Sequence, residues 1–315
     1  MIEVKNLVKN YGPKNALDDV SFTIEKGEVV GLLGPNGAGK STAMNIITGC
    51  LSSTGGEVRI AGIDMFENPD DAKKLIGFLP EQPPLYQDMT VDEYLGFVFD
   101  LKKCTENKKE HLDGIKKTAK ISEVSNRLIK NLSKGYRQRV GIAQALIGDP
   151  PIIIFDEPTV GLDPKQIIEI RNLIRNLGRN HTVILSTHIL SEVQSVCDRV
   201  IIINEGKIVA DERTDRISDA VKTGNRYTVK VCGPQRDTAA ALREIQGITR
   251  VDSLGERDGD AYTFMIESAP GVDIRKPVFF AMSRLGKAII GMESAQADLE
   301  DVFVRLTETV KGGKK

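Results

Sequence analysis

Residues 34–42, with the sequence GPNGAGKST, have the types and spacing of a loop that binds phosphate groups. The glycines let the backbone wrap around phosphate oxygens, and the lysine ammonium reaches the outer phosphates. The serine hydroxyl can ligate Mg²⁺, and a threonine stands beside it. The apolar segment EVVGLLG before the loop reads as a strand, and STAMNIITG after it reads as a helix. We therefore predict a phosphate site made by Gly34, Pro35, Asn36, Gly37, Ala38, Gly39, Lys40, Ser41 and Thr42, with Ser41 as a metal ligand.

Two carboxylates end an apolar segment in IIIFDEPT, residues 152–159. Ligands of open α/β sheets bind at the carboxyl ends of the strands, where these side chains are expected. Asp156 suits contact with Mg²⁺, directly or through water, and Glu157 could polarise an attacking water molecule. The alternative is a capped strand end, since Pro158 and Pro164 punctuate a loop here. The phosphate loop elsewhere in the chain favours the catalytic interpretation.

A second candidate anion site lies in LSKGYRQRV, residues 132–140. Ser133 can cap a helix, Gly135 leaves its backbone uncovered, and lysine and arginine side chains add positive charge. The free N–H groups and the dipole of a helix N-terminus favour negative charge. The chain therefore has two candidate anion sites, about ninety residues apart in sequence.

The bulk composition excludes several classes of protein. The 315 residues suffice for roughly two domains with real cores. The 43 basic and 44 acidic residues give a formal charge of −1, so no global field attracts nucleic acid or anionic lipid. The four cysteines form no CxxC pair, which favours reduced thiols. The charged, alternating N-terminus is not typical of a signal peptide, and no apolar run approaches the ~20 residues of a membrane span.

The elements that must position these residues follow an α/β pattern. Residues 1–66 alternate between strands and turns, and helical periodicity follows from residues 89–90, where Thr90 and Glu93 have the spacing of a capping box. We predict a helical subdomain over about residues 88–150. From residue 150, short apolar runs alternate with helices, which is typical of a parallel sheet covered on both faces.

A polar segment at residues 213–226 predicts a boundary between two domains, 1–215 and 216–315. Beyond it the pattern reads strand, helix, strand, strand, helix, strand, the order of a ferredoxin-like α+β domain. A last helix is predicted in ADLEDVFVRLTE, residues 297–308. This second domain carries no chemical motif.

Across residues 1–215 the chain resembles the ATP-binding subunit of ABC transporters. Five motifs appear in the family's order: the phosphate loop, the signature at 132–136, the Walker B strand at 152–157, GLDP at 161–164 and STH at 186–188. The C-terminal part looks like the small domain of ABC-2 type exporters, including those of drug efflux, polysaccharide export and gliding motility. The resemblance implies the P-loop NTPase fold of an ABC-type domain, with ATP and Mg²⁺ bound.

The resemblance also assigns roles to residues outside the phosphate loop. Tyr11 would stack on adenine, His188 would lie beside the γ-phosphate as a catalytic residue, and Asp163 would lie where two subunits meet. Ser133 and Gly135 would bind the nucleotide held by another subunit. In that arrangement two subunits meet head to tail and clamp each ATP between one phosphate loop and the partner's signature. The two anion sites of the chain would therefore serve two different nucleotides.

The sequence departs from the family pattern at two places. The signature, usually LSGGQ, reads LSKGY here, so tyrosine replaces the glutamine, although Gln138 lies nearby. The loop that the family marks with glutamine after LP has Glu81 followed by Gln82. A carboxylate can bind Mg²⁺, so both residues are candidate metal ligands.

The resemblance implies an ATPase whose work appears in a separate multi-span permease. The subunit would be cytoplasmic and peripheral on the inner face of the membrane, with a second copy or a homologous ATPase as partner and no nucleic acid. We expect permease docking at residues 83–99, with Tyr86 and Met89 exposed, or else plain core packing there. The alternative function is a soluble ABC ATPase acting on the ribosome or DNA, although such proteins usually carry two motif sets. A small-molecule phosphotransferase would not explain the signature.

Overall fold

The computed structural model describes residues 1–216, 226–269 and 271–295. Two compact units divide the chain, and the first spans Met1–Asp215. The second begins after that residue and contains the described residues from Arg226 onward. The helix expected at 297–308 lies outside the described residues, as does most of the expected boundary segment.

An antiparallel sheet opens the first unit. Its order is β2-β1-β4-β5, and its strands are β1 (Ile2–Tyr11), β2 (Lys14–Ile24), β4 (Gly55–Ile60) and β5 (Ile63–Asp64). Strands β1 and β2 form a hairpin in which Tyr11 pairs with Lys14 across Gly12 and Pro13. This hairpin ends at one of the expected nucleotide contacts.

The second sheet is parallel except at one edge. Its order is β10-β9-β3-β8-β7-β6, with β3 (Val29–Leu33), β6 (Ile76–Leu79), β7 (Ile152–Asp156), β8 (Thr182–Thr187), β9 (Arg199–Asn204) and β10 (Lys207–Arg213). Strand β10 runs antiparallel to β9. Every residue of β3, β7 and β8 is buried, as expected for parallel strands covered on both faces. The carboxyl ends of β3, β7 and β8 therefore lie side by side.

Helices cover this sheet and build a helical subdomain. They are α1 (Lys40–Ile47), α2 (Pro69–Lys74), α3 (Val91–Leu101), α4 (Lys108–Ala119), α5 (Lys134–Leu146), α6 (Pro164–Leu177) and α7 (Leu190–Val196). The capping box is confirmed, because the Thr90 hydroxyl accepts from the Glu93 N–H at 3.2 Å and a Glu93 oxygen accepts from the Thr90 N–H at 2.8 Å. The sequence assigned no element to residues 67–88, where α2 and β6 lie. A four-residue apolar run such as β6 is ambiguous from periodicity alone.

The second unit has the element order strand, helix, strand, strand, helix, strand. The elements are β11 (Arg226–Cys232), α8 (Gln235–Arg243), β12 (Ile248–Asp258), β13 (Ala261–Ser268), α9 (Arg275–Arg284) and β14 (Ile289–Ala295). The strands pair antiparallel in the order β12-β13-β11-β14. A separate apolar cluster, which includes Val229, Leu242, Phe264 and Met282, fills the space between sheet and helices.

None of the helices in the described part of the chain combines the length and the apolar character that crossing a bilayer requires.

Candidate active site

The phosphate loop connects β3, in the interior of the parallel sheet, to the N-terminus of α1. Gly39 precedes the helix with φ +112°, and a Cβ there would lie 2.6 Å from the Ala16 carbonyl oxygen. Only glycine therefore fits this position without moving the β2 backbone. No side chain caps α1, so its first N–H groups remain available for phosphate oxygens.

Lys40 folds back over the loop that precedes it. Its ammonium donates to the Gly34 carbonyl at 2.8 Å and to the Pro35 carbonyl at 3.3 Å. It also lies 3.4 Å from Oε1 of Glu157. The side chains of Lys40 and Glu157 are only 6% and 7% exposed, so this ion pair is buried.

Asp156 ends β7 opposite the first turn of α1. The Ser41 hydroxyl donates to Asp156 Oδ1 at 3.3 Å, and the Ser186 hydroxyl on β8 donates to the same oxygen. Hydroxyl and carboxylate oxygens are the ligands that Mg²⁺ prefers, together with water and substrate phosphates. Among the described residues no three His, Cys, Asp or Glu side chains form a potential metal cluster. Ser41 and Asp156 supply oxygen ligands of this kind, which fits an Mg²⁺ ion that a bound phosphate also ligates.

Glu157 adopts a backbone conformation that is unusual for a non-glycine residue, with φ +49°. Its N–H donates to the Ser186 carbonyl at 3.1 Å and lies 3.2 Å from the Ser186 hydroxyl. The carboxylate lies between Lys40 and His188, whose Nδ1 is 2.9 Å from Oε2 and 3.1 Å from Oε1. A left-handed conformation of this kind costs of order 1–3 kcal/mol and often marks a functional site. No local sequence pattern predicted this conformation.

A cleft of about 480 Å³ surrounds these groups. Its lining includes Tyr11, Asn36, Gly37, Gly39, Lys40, Ser41, Thr42, Glu81, Glu157 and His188, all named from the sequence. It also includes Lys14, Ala16 and Val160, which sequence reasoning missed. Lys14 could have been identified from its position near Tyr11, with which it pairs at the end of the hairpin.

Tyr11 and Glu81 both line this cleft. The Tyr11 ring is 50% exposed, and the Lys9 ammonium lies 5.3 Å from its centre. An exposed ring beside a phosphate loop offers a face for an aromatic base. Of the two candidates after LP, Glu81 lines the cleft, and Gln82 is exposed one residue further on.

The signature segment is at a different place on the first unit. Ser133 is exposed and caps α5 by accepting from the Tyr136 N–H at 3.3 Å. A Cβ on Gly135 would lie 2.6 Å from the end of the Gln166 side chain, which would have to move aside. Gly135 lines a second cleft, of about 630 Å³. As far as the chain is described, the lining of the phosphate cleft includes neither Ser133 nor Gly135.

Tyr136 of the signature and Asp163 of the GLDP motif are already engaged within the chain. The Tyr136 hydroxyl donates to Glu123 at 2.6 Å, and this hydrogen bond raises the pKa of Tyr136, so the ring stays a neutral phenol. Asp163 caps α6 by accepting from the Gln166 N–H at 2.9 Å. Gln138, near the position of the family's glutamine, is buried on α5.

Comparison with known proteins adds independent findings. Residues 17–160 match the family model described as ABC transporter. The chain is 31% identical to the bacitracin transport ATP-binding protein BcrA of Bacillus licheniformis over 97% of each chain. It is 40% identical to the uncharacterized ABC transporter ATP-binding protein YhcH of Bacillus subtilis (strain 168), over 99% of this chain and 97% of that one. A solved dimeric ATP-binding cassette with bound ADP and Pi matches 68% of this chain and 99% of its own, with 31% identity and a TM-score of 0.63.

Proposed function

Because the chain belongs to the ATP-binding proteins of the ABC transporter family, we propose that Lys40, Asp156 and Glu157 form its hydrolytic centre. The chain is an ATPase that drives transport. The observation that carries the proposal is the buried Glu157 carboxylate, 3.4 Å from Lys40 and 2.9 Å from His188. A carboxylate held beside a phosphate loop is placed to accept a proton from water.

Lys40 has two competing anionic partners in this scheme. In the structure the ammonium lies 3.4 Å from the Glu157 carboxylate and balances its charge. The phosphates of ATP carry more negative charge than one carboxylate and attract the same ammonium. Binding of ATP would therefore weaken the Lys40–Glu157 pair and leave Glu157 free to act as a base.

The chemical step is the attack of water on the γ-phosphorus. Glu157 accepts the proton of the attacking water, the bond to the bridging oxygen breaks, and ADP leaves. His188, exposed at the rim, is placed to contact the γ-phosphate. Ser41 and Asp156 would hold Mg²⁺, which supplies positive charge to the phosphate oxygens. Tyr11 would hold adenine, and Glu81 is favoured over Gln82 as a further metal contact because it lines the cleft.

A second ATPase subunit would complete the site. Gly135 lines a different cleft from Lys40, and Ser133 does not line the Lys40 cleft, so one chain does not bring its own signature to its own phosphate loop. A head-to-tail pair would place the signature of one subunit over the loop of the other. The dimeric cassette with ADP and Pi supports this arrangement. Asp163, at the start of α6, would lie at the contact between the subunits.

A membrane-spanning permease is the proposed partner for transport, with this subunit at the cytoplasmic face. Tyr86 packs against Tyr94 and Phe97 with ring centroids 5.9 and 5.4 Å apart, and Tyr86 remains 50% exposed. Met89, expected to be exposed, is half-buried. The exposed aromatic side of residues 83–99 is the proposed docking surface. Similarity to transport proteins favours this function over a soluble ATPase acting on the ribosome or DNA.

Residues 1–215 are proposed to carry the ATP chemistry, and residues 216–315 to form an accessory domain. Every residue of the proposed nucleotide site lies in the first compact unit. The match to BcrA extends over 97% of this chain and so includes the second unit as well.

The test replaces Glu157 by glutamine. The amide keeps the shape of the side chain but cannot accept the proton, so turnover should fall by roughly 10²–10⁴ while ATP binding persists. Steady-state phosphate release measures turnover, and calorimetric titration with ATP measures binding. Glu205→Gln is the matched control, because Glu205 shares the positive φ, at +47°, but is exposed in the turn between β9 and β10.

Near-normal turnover by Glu157→Gln would contradict the assignment. The same assay on Glu81→Gln would then show whether the other carboxylate of the cleft is the base.

A further inference from the structure

Glu192 is a buried carboxylate that the hydrolytic scheme does not use. It lies on α7 with 1% of its surface exposed. One oxygen accepts from the Thr159 hydroxyl at 2.6 Å, and the other accepts from the Thr187 hydroxyl at 2.7 Å. Both hydroxyl groups are themselves on buried residues. Glu192 therefore connects two segments that are far apart in sequence.

Each of these two segments carries a residue of the hydrolytic centre. Thr159 lies two residues after Glu157, in the loop that follows β7. Thr187 ends β8 and directly precedes His188, and its hydroxyl also accepts from the Ile189 N–H at 3.1 Å. Because Glu192 binds one threonine with each oxygen, it fixes the end of one segment relative to the other.

The charge of Glu192 makes this connection rigid. A buried carboxylate without hydrogen-bond partners is strongly disfavoured, so both threonines are held in place. The Arg171 guanidinium on α6 lies 3.4 Å from Oε1 and partly compensates the charge. Any shift of either segment would leave a charged oxygen without its hydroxyl partner.

We propose that Glu192 is a positioning residue for ATP hydrolysis, holding Glu157 and His188 at their mutual distance through Thr159 and Thr187. This proposal rests on the proposed role of Glu157 as the base. Misplacement of a reacting group by about 1 Å can cost roughly 10²-fold in rate. Glu192 does not line the cleft that holds Lys40 and Glu157, so we expect it to act on turnover and not on nucleotide affinity.

The experiment compares four single variants and one double variant of the full chain. Glu192→Ala removes both connections, and Glu192→Gln keeps the shape and can still bond both hydroxyls, with its amide group donating to one of them. Thr187→Val removes one connection without changing the side-chain volume much. Thr182→Val is the matched control: Thr182 begins the same strand, is equally buried, and accepts from the Gly27 N–H at 2.9 Å, far from the cleft. The kcat and KM for ATP and the melting temperature are measured for each.

Positioning predicts a fall in kcat by roughly tenfold to a hundredfold for Glu192→Ala, with KM unchanged. Thr187→Val should show part of this loss, and Glu192→Gln should recover most of it. Adding Thr187→Val to Glu192→Ala should cause no further loss, because both act through one connection. Thr182→Val also removes a buried hydrogen bond, and it should leave kcat intact.

Any of three results would overturn the inference. They are an equal loss of kcat in Thr182→Val and Thr187→Val, a kcat of Glu192→Gln as low as that of Glu192→Ala, or losses of kcat from Glu192→Ala and Thr187→Val that add in the double variant. If Glu192→Ala fails to fold, the comparison of Thr187→Val with Thr182→Val decides alone. The two proposals fail separately. If Glu157→Gln is active, the assignment of Glu157 as the base is wrong. If Glu157→Gln is inactive and Thr187→Val is fully active, only the positioning role of Glu192 is wrong.

Discussion

Replacing Lys40 by alanine should destabilise the nucleotide-free chain, because the substitution leaves the Glu157 carboxylate buried without its cation. The two side chains are 6% and 7% exposed, with 3.4 Å between Nζ and Oε1. Removing one partner of a buried ion pair typically costs ~3–5 kcal/mol. His188, 2.9 Å from the other carboxylate oxygen, remains and reduces this loss. We therefore expect a loss near the low end, about 3 kcal/mol.

A double-mutant cycle separates this charge effect from lost packing. In Glu157→Gln the ammonium keeps its bonds to the Gly34 and Pro35 carbonyls, so the loss should be smaller, about 1–2 kcal/mol. The double variant Lys40→Ala with Glu157→Gln buries no unpaired charge. It should therefore be more stable than Lys40→Ala alone, with a coupling energy of roughly 0.5–3 kcal/mol.

Thermal unfolding without nucleotide, followed by circular dichroism, measures these differences. At about 2–4 °C per kcal/mol for a unit of this size, Lys40→Ala should melt about 6–12 °C below the unmodified chain. Lys14→Ala is the matched control, because Lys14 lines the same cleft but is exposed, and its melting temperature should hardly change. A double variant that melts at or below Lys40→Ala would refute the reasoning, as would a Lys40→Ala chain that melts with the control.

Three further predictions follow from the same geometry. A mixture of Lys40→Ala and Ser133→Arg chains should recover ATP-driven dimerisation in light scattering, because both substitutions then lie in one of the two sites of the mixed dimer. If the mixture dimerises no more than either variant alone, and subunit exchange is confirmed, a site shared between subunits is excluded. A chain ending at Asp215 should fold and bind Mg·ATP by calorimetry with the affinity of the full chain, since its core is complete; a soluble product without binding would contradict this. Thr90→Ala should lower the free energy of unfolding in urea by ~1 kcal/mol at neutral pH through loss of the helix cap. The Thr90 N–H and, to a lesser extent, the Thr90 hydroxyl donate to Glu93 and lower the pKa of its carboxyl. Thr90→Ala removes only the hydroxyl bond, whose contribution is present above the unfolded pKa of Glu93 and is lost as pH falls through the lowered value, so the difference between the two chains should narrow there; a difference that stays constant with pH would contradict a contribution from the bond between hydroxyl and carboxylate.

Features that depend on neighbouring residues could be predicted from the sequence. The phosphate loop, the capping box at Thr90 and the buried strand β7 each occupy fewer than a dozen consecutive positions. Each depends only on residues that are close in sequence: the backbone freedom of glycine, a hydrogen bond between residues three apart, or an unbroken apolar run. The ABC-type ATPase fold that the family resemblance implied is confirmed.

Residue spacing did not predict α2 or β6, nor the choice between Glu81 and Gln82. Strand β6 has only four residues, and it becomes a strand because it pairs with β7, which is more than seventy residues away. Glu81 lines the cleft because the chain turns just after β6. Such features depend on pairing partners that a local sequence window does not contain.

The sequence by itself determined which groups could do chemistry here: a lysine after a glycine loop, two carboxylates after a buried strand and a histidine after another. Tertiary structure decided how those groups meet. The contacts of Lys40 with Glu157, Glu157 with His188, and Glu192 with Thr159 and Thr187 depend on the order in which parallel strands pair. Strand order is set by the packing of the whole sheet and its helices, so the side chains at the carboxyl ends of β3, β7 and β8 become neighbours only once that packing is complete.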